Sequence, residues 1–246
     1  MKKSILLTPM IKEAIILAGG LGTRLRSIVS DTPKCMAPIS GKPFLSFLIF
    51  YLQKSGIENI ILSVGYMHEV IEEFIEENYP DLKYIIALEE QPLGTGGAIK
   101  LACSKTSGKN VLVCNGDTMY KIDVALLSKF HEEKKAACSL TLKPMHDFDR
   151  YGVVTLNDDQ SIHSFKEKQF YKTGLINGGV YALNVKDFLK EPLPEKFSFE
   201  KDYLEKNVGV SGNIKPQLYG MVQDQYFIDI GIPTDYKRAQ IELLNY

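Results

Sequence analysis

The sequence predicts an α/β fold in which a mostly parallel sheet, flanked by helices, carries a smaller and more antiparallel lobe. Three observations lead there. The first half of the 246-residue chain alternates short apolar runs of strand length with stretches of helical periodicity. After about Ala137 the texture changes to short strands separated by turn residues. A glycine-rich turn follows the first apolar run, and open α/β sheets gather their ligands at the carboxyl ends of such strands.

The elements can be justified in order. Ala14 to Ala18 is an apolar run of strand length, and Ile60 to Val64, Tyr84 to Leu88 and Val111 to Cys114 repeat the pattern. Between the second and third, Val70, Ile71, Phe74 and Ile75 share one helical face. Glu69, Glu72, Glu73, Glu76 and Glu77 fill the rest, which reads as a solvated helix surface rather than a metal site. In the second half, Ser139 to Leu142, Tyr151 to Leu156 and Ser161 to Phe165 are short strands, with a turn at Asn157-Asp158-Asp159-Gln160. Pro192 to Pro194, between Glu191 and Glu195, is a surface connector. Pro233 to Leu244 is a closing helix, with proline near its first position and Tyr236, Ala239, Ile241 and Leu244 as its apolar residues. One domain is therefore expected, with a core at 12–136, a lobe at 137–232 and the closing segment at 233–246.

Composition narrows the function. Hydrophobic content of 45% is enough for a real core, and 24% charged residues is ordinary for a soluble chain. With 29 basic and 30 acidic residues there is no field for nucleic acid or an anionic membrane, so positive charge for a ligand must be local. Cys35, Cys103, Cys114 and Cys138 form no CxxC pair, which suits reduced thiols. His68, His131, His146 and His163 show no pairing and read as structural or surface residues. Lys2-Lys3 precedes only a brief apolar Ile5-Leu6-Leu7 broken by Pro9, too short for a signal peptide. Phe44 to Leu52 falls far short of a membrane span. A cytoplasmic protein is expected.

The chemistry concentrates in Leu17-Ala18-Gly19-Gly20-Leu21-Gly22-Thr23-Arg24-Leu25. Glycines here let backbone N–H groups approach an anion with no side chain in the way. Arg24 adds a forked cation suited to phosphate oxygens, and Lys34 of Pro33-Lys34 adds a second positive charge. That is a polyphosphate site. It is not a Walker loop, since no Gly-Lys-Ser/Thr ending occurs. It is not a dinucleotide fingerprint either, because Leu25 stands at the third glycine position.

Five further motifs surround it. Asn115-Gly116-Asp117 closes one apolar strand, and Phe227-Ile228-Asp229-Ile230-Gly231 places a second aspartate after another. Hard carboxylate oxygens of this kind suit Mg²⁺, although a single strand-end aspartate is more often a turn or cap. Lys166-Glu167-Lys168, taken alone, is a charged hairpin edge. Asn177-Gly178-Gly179 before Val180-Tyr181 is a turn leading into a strand, and Gln91-Pro92-Leu93-Gly94-Thr95-Gly96-Gly97 a loop and helix cap.

Together these motifs resemble the signature of the sugar-phosphate nucleotidyltransferases, in the family's order and over nearly the whole chain. The resemblance implies a Rossmann-like, GT-A-type sheet with a sugar-binding lobe. It also implies a reaction: a nucleoside triphosphate and a sugar 1-phosphate give a nucleotide sugar and pyrophosphate by in-line attack at the α-phosphorus. By the same match Leu17, Ala18, Gly19, Gly20, Gly22, Thr23 and Arg24 hold the nucleotide, while Gln91, Gly94, Thr95 and Gly96 lie beside its base. Arg24, Lys34 and Lys168 supply catalytic positive charge, and Asp117 and Asp229 hold Mg²⁺. Lys168 neutralises the sugar phosphate, Glu167 accepts from sugar hydroxyls, and Gly152 and Asn177 complete the sugar site.

Gln169 and Cys35 stand where the family usually has proline, and no proline follows Arg24-Leu25 at its usual place. The form Arg-Leu-Arg-Ser-Ile-Val resembles the branch that makes GDP-activated manno-heptose for capsules and surface glycans. The expected substrates are therefore GTP and D-glycero-D-manno-heptose 1-phosphate. The alternatives are mannose 1-phosphate with GTP, glucose 1-phosphate with dTTP or UTP, and a non-catalytic regulatory subunit of the same fold. The β-helical acyltransferase domain of some relatives is not expected, and a homo-oligomer is compatible with the sequence.

Overall fold

A computed structural model describes residues 11–20, 32–208 and 217–244. The chain enters through β1 (Glu13–Leu17) and, after a short 3-10 turn at Lys34–Met36, forms a tight ladder of β2 (Pro38–Ile39) and β3 (Lys42–Pro43). Then come α1 (Phe44–Lys54), β4 (Asn59–Val64), α2 (His68–Asn78), β5 (Tyr84–Leu88), α3 (Gly94–Cys103) and β6 (Asn110–Asn115). β7 (Thr118–Tyr120) and α4 (Val124–Glu133) lead to the second half, with β8 (Cys138–Phe148), β9 (Val153–Leu156), β10 (Ile162–Lys166) and β11 (Tyr171–Asn184). α5 (Val185–Lys190) and a π-helical turn at Phe199–Leu204 precede β12 (Leu218–Val222), β13 (Phe227–Asp229) and α6 (Pro233–Glu242).

One mixed sheet organises these elements, in the order β10-β9-β11-β6-β1-β4-β5, with β8 and β12 branching from β11. β1, β4, β5 and β6 pair in parallel, and β11 joins β6 antiparallel. The expected mostly parallel core and antiparallel lobe are both present, and β11 belongs to both. Its first part pairs with β8 and β9, and its last part lies between β6, which pairs with Val180–Asn184, and β8, which pairs with Tyr181–Leu183. The turn expected at Asn177-Gly178-Gly179 is instead a break in register inside this 14-residue strand, with Gly179 at φ +72°. A glycine pair signals a turn and a bulge alike, so only the partner strands decide which forms.

The sheet is covered on both faces, as the unbroken apolar runs demand. In β1, Ala14 and Ile16 face one buried cluster and Ile15 the other. Seven residues of α1 are buried in the first cluster. α2 buries Ile71 and Ile75 and turns its glutamates outward, with His68 Nδ1 2.7 Å from Glu72. All four cysteines are buried and free. Among the described residues no helix is long and apolar enough to cross a membrane.

Candidate active site

The parallel strands end around one cavity of about 550 Å³, bordered by the chain leaving β1, β5 and β6 and by the start of α3. Leu17, Ala18, Gly19 and Gly20 line it, and backbone bonds fix this turn. Ala18 N–H donates to Ser63 O at 2.7 Å, and Gly116 N–H to Leu17 O at 2.9 Å. A Cβ on Gly116 would lie 2.6 Å from that same Leu17 oxygen, so the turns after β1 and β6 can touch only through glycine. Gly22, Thr23 and Arg24, with Leu25 to Val29, lie outside the described residues.

Asp117 and Asp229 come together although they are 112 positions apart in the chain. β7 pairs antiparallel with β13, setting Asp229 opposite Thr118, and Ile230 N–H donates to Asp117 O at 3.0 Å. The Lys34 ammonium reaches this spot from its 3-10 turn and is ion-paired with Asp117. Gly231 packs against both Lys34 Nζ and Asp229 Oδ1, and its own N–H donates to Asp229 Oδ1 at 2.7 Å. Thr118 Oγ1 donates to Asp117 Oδ1 at 3.2 Å. Two carboxylates thus converge where a cation already sits, a donor set of hard oxygens that fits a divalent ion such as Mg²⁺. Among the described residues no group of three or more His, Cys, Asp or Glu could hold a metal ion, so the two aspartates stand without a third such ligand.

At the other end of the cavity α3 begins at Gly94, with φ +73° and no room for a Cβ, which would lie 2.6 Å from Phe197 O. Gly94 and Thr95 line the cavity. Gly96 is packed beneath the Phe197 ring, and Gln91 is exposed outside the lining. Thr95 Oγ1 donates to Glu200 Oε2 at 2.7 Å and accepts from Phe199 N–H at 2.9 Å. The π-helical turn therefore brings Glu200 to the cavity wall. No local pattern announces Glu200, because the contact depends on packing more than a hundred residues away.

Glu89, one residue beyond β5, is the second wall residue that the motifs miss. Its Oε2 accepts from Leu93 N–H at 3.0 Å, and Ser63 Oγ lies 3.5 Å from its Oε1. Burial pushes its carboxyl above the ordinary glutamate value, against the opposing pull of those two donors. Its signal in the sequence is an acidic residue just beyond the carboxyl end of an apolar strand. Cys35 also lines the cavity, and burial, then the Asp117 charge, pushes its thiol up to about 12.

The lobe residues sit farther along. Gly152 lies against Lys166 O, where a Cβ would come within 2.4 Å, so the Tyr151-Gly152 turn and the end of β10 touch directly. Glu167 and Lys168 follow as exposed residues, with Glu167 O accepting from Tyr171 OH at 3.0 Å. Asn177 Nδ2 donates to Tyr181 OH at 2.9 Å and its Oδ1 accepts from Gly179 N–H at 3.0 Å. The Tyr151 hydroxyl is buried, and burial and then the Asp229 charge push its pKa above the ordinary tyrosine value, so it stays protonated. Lys168, Glu167, Gly152 and Asn177 do not line the cavity that holds Lys34 and Asp117.

Comparison with known proteins agrees with this geometry. The model of the nucleotidyl transferase family matches residues 13–245. The D-glycero-alpha-D-manno-heptose 1-phosphate guanylyltransferase of Aneurinibacillus thermoaerophilus is 50% identical over 234 residues, spanning 95% of this chain and 99% of that one. The enzyme of the same name from Campylobacter jejuni is 48% identical over 224 residues, 91% of this chain and 96% of its own. Among solved structures, HddC from Yersinia pseudotuberculosis is 39% identical with a TM-score of 0.82, covering 95% of this chain and 100% of that one. HddC has also been solved as a complex with GMP-PN. Sheet order, cavity and sequence identity agree: this chain belongs to the nucleotidyl transferase family and is an enzyme that transfers a nucleotidyl group.

Proposed function

We propose that this enzyme joins GTP and D-glycero-D-manno-heptose 1-phosphate, releasing pyrophosphate and giving the GDP-sugar. The observation that carries the choice of nucleotide is Glu89. A carboxylate offers only acceptors, and guanine presents adjacent N1–H and N2–H donors on its Watson–Crick edge. Adenine presents an acceptor at N1, and uracil and thymine flank their single N–H with carbonyls. A half-buried carboxylate on the cavity wall therefore favours guanine and leaves unpaired groups against other bases. Identity to two heptose 1-phosphate guanylyltransferases supports the same choice.

The attacking oxygen belongs to an ionised phosphate, so the protein needs no base. What it must supply is position and positive charge. In this reading residues 12–136 bind the nucleotide and 137–232 the sugar phosphate, with the triphosphate threaded past Gly19 and Gly20 toward Lys34, and Arg24 adds the second positive charge that the family match implies. Lys34 offsets charge on the α-phosphate and the departing pyrophosphate. Lys168 holds the sugar phosphate in line, and Glu167, Gly152 and Asn177 orient the sugar. Asp117 and Asp229 would hold Mg²⁺, which when bound neutralises phosphate charge. The product, made in the cytoplasm, would feed capsule and surface-glycan assembly. The test is to incubate the enzyme with GTP and the heptose 1-phosphate and look for the GDP-sugar and pyrophosphate by mass spectrometry. Absence of both products, with the other triphosphates active, would overturn the reading.

A further inference from the structure

We propose that α6 is the positioning element of this site, with Gln240 and Tyr236 setting Lys34 against the carboxylate pair and Asp235 tying in the sugar lobe. The proposal rests on the assignment of Lys34, Asp117, Asp229 and Gly152 to the active site. The helix begins at Pro233, two residues after Gly231, so one end of it is continuous with the Asp229 turn.

From that fixed point α6 reaches back to the loop that carries Lys34. Tyr236 OH donates to Pro38 O at 2.6 Å, and Gln240 Nε2 donates to the same oxygen at 2.8 Å. Gln240 Oε1 accepts from Ser40 N–H at 2.7 Å, and Gln240 O accepts from Ser40 Oγ at 2.6 Å. Ser40 has φ +48°, in the left-handed region that a residue with a side chain rarely adopts. Such a conformation persists only when its surroundings over-determine it, and Gln240 binds both the backbone and the side chain of Ser40. The turn between β2 and β3 is thus held in a strained shape by one glutamine, whose partners Pro38 and Ser40 lie four and six residues along the chain from Lys34.

A third contact reaches the lobe. Asp235 is buried in the first turn of α6 and pairs with Arg238 at 2.9 Å and Arg150 at 3.5 Å. Arg150 immediately precedes Tyr151-Gly152, and the Tyr151 ring packs edge-on against Phe227 of β13 at 6.1 Å. The Lys34 loop, the Asp229 turn and the Gly152 turn are three remote segments that share one rigid support. Small displacements of charged groups cost rate far more than stability, so an error in this support should appear in turnover first.

The test compares Gln240→Leu, Tyr236→Phe and Arg150→Gln with Ile241→Ala, an exposed residue on the same helix. Gln240→Leu should lower kcat by roughly 10- to 100-fold with little change in KM for GTP. It should also speed acylation of Lys34 by an activated ester, relative to surface Lys54 in the same digest, because the ammonium is no longer held against Asp117. Tyr236→Phe should move both readouts in the same direction by less, and it removes only a hydroxyl should Gln240→Leu fold poorly. Arg150→Gln should raise KM for the sugar 1-phosphate by up to about fivefold and leave Lys34 labelling unchanged. Ile241→Ala should match wild type throughout. Wild-type kcat in Gln240→Leu overturns the proposal. So does a loss of kcat that tracks lost folded protein while Lys34 labelling stays at the wild-type rate. Lys34 labelling needs no substrate, so it still reads the proposal if the wild-type enzyme proves inactive on GTP and the heptose phosphate.

Discussion

The ammonium of Lys34 is ion-paired with the carboxylate of Asp117, although the two residues are 83 positions apart in the chain. Lys34 comes from the loop after β1 and Asp117 from the end of β6. Asp229 joins them through the β7–β13 ladder, so a positive group sits among two negative ones before any substrate arrives. Lysine and aspartate are thus paired in the free protein, and the proposed reaction would use both signs of charge at this point.

Removing the lysine should therefore act on stability and turnover together. Lys34→Met leaves two adjacent carboxylates without their counter-ion, which repel. The variant should melt below wild type, and added Mg²⁺ should recover more of its Tm than it adds to wild type. Turnover should fall on the order of 100- to 1000-fold, the typical effect of losing one preorganised positive donor. A melting curve as stable as wild type and insensitive to Mg²⁺ would contradict the arrangement.

The carboxylates can be tested separately. Asp117→Asn and Asp229→Asn each remove one negative ligand while keeping the shape. Each should raise the Mg²⁺ concentration needed for half-maximal rate, and each should lower the maximum rate. Wild-type enzyme that keeps its activity in excess chelator would falsify the metal role of this pair.

Glu89→Gln should lower kcat/KM for GTP by on the order of 10- to 100-fold, because an acceptor-only group is replaced by one that also presents donors to guanine. The variant should also narrow the gap between GTP and the other triphosphates. Burial raises the Glu89 carboxyl, so its folded form takes up a proton at higher pH than an unfolded glutamate would. Two consequences follow from that sign. The ionised carboxylate costs folding stability above this transition, so Glu89→Gln should be at least as stable as wild type at neutral pH. KM for GTP should rise as pH falls, starting above the ordinary carboxylate range, and the variant should lose that dependence.

Lys168→Ala should fold normally, since the residue is exposed, and lose most of its turnover if it neutralises the sugar phosphate. Circular dichroism and a rate assay on the same sample decide it. Near-native turnover would remove Lys168 from the reaction.

Much of the fold was legible because its strands are short apolar runs bounded by turn residues. Ile60 to Val64 and Tyr84 to Leu88 are strands at almost the bounds that their composition implies, and Pro233 begins the last helix. β11 was not legible: Asn177-Gly178-Gly179 carries a local turn signal, and only pairing with β6 and β8 makes it a bulge. The site divides in the same way. Gly19 and Lys34 stand in patterns that point to an anion and Asp117 in one that points to a cation, while Glu200 reaches the cavity through Phe197 and Phe199 packed on α3. Glu89 lay between, an acidic residue at a strand end whose burial no local pattern could disclose. Gly96 shows the opposite case, a motif glycine whose place in this structure is explained by the Phe197 ring.

The most direct test of the account is kcat/KM, by pyrophosphate release, for GTP, ATP, UTP and dTTP with D-glycero-D-manno-heptose 1-phosphate. The same assay then compares mannose and glucose 1-phosphates with the best triphosphate. The account predicts GTP first by a wide margin, the heptose phosphate ahead of mannose 1-phosphate, and glucose 1-phosphate last. Preference for dTTP or UTP with glucose 1-phosphate would contradict it, and would leave the carboxylate of Glu89 facing a base that it does not match.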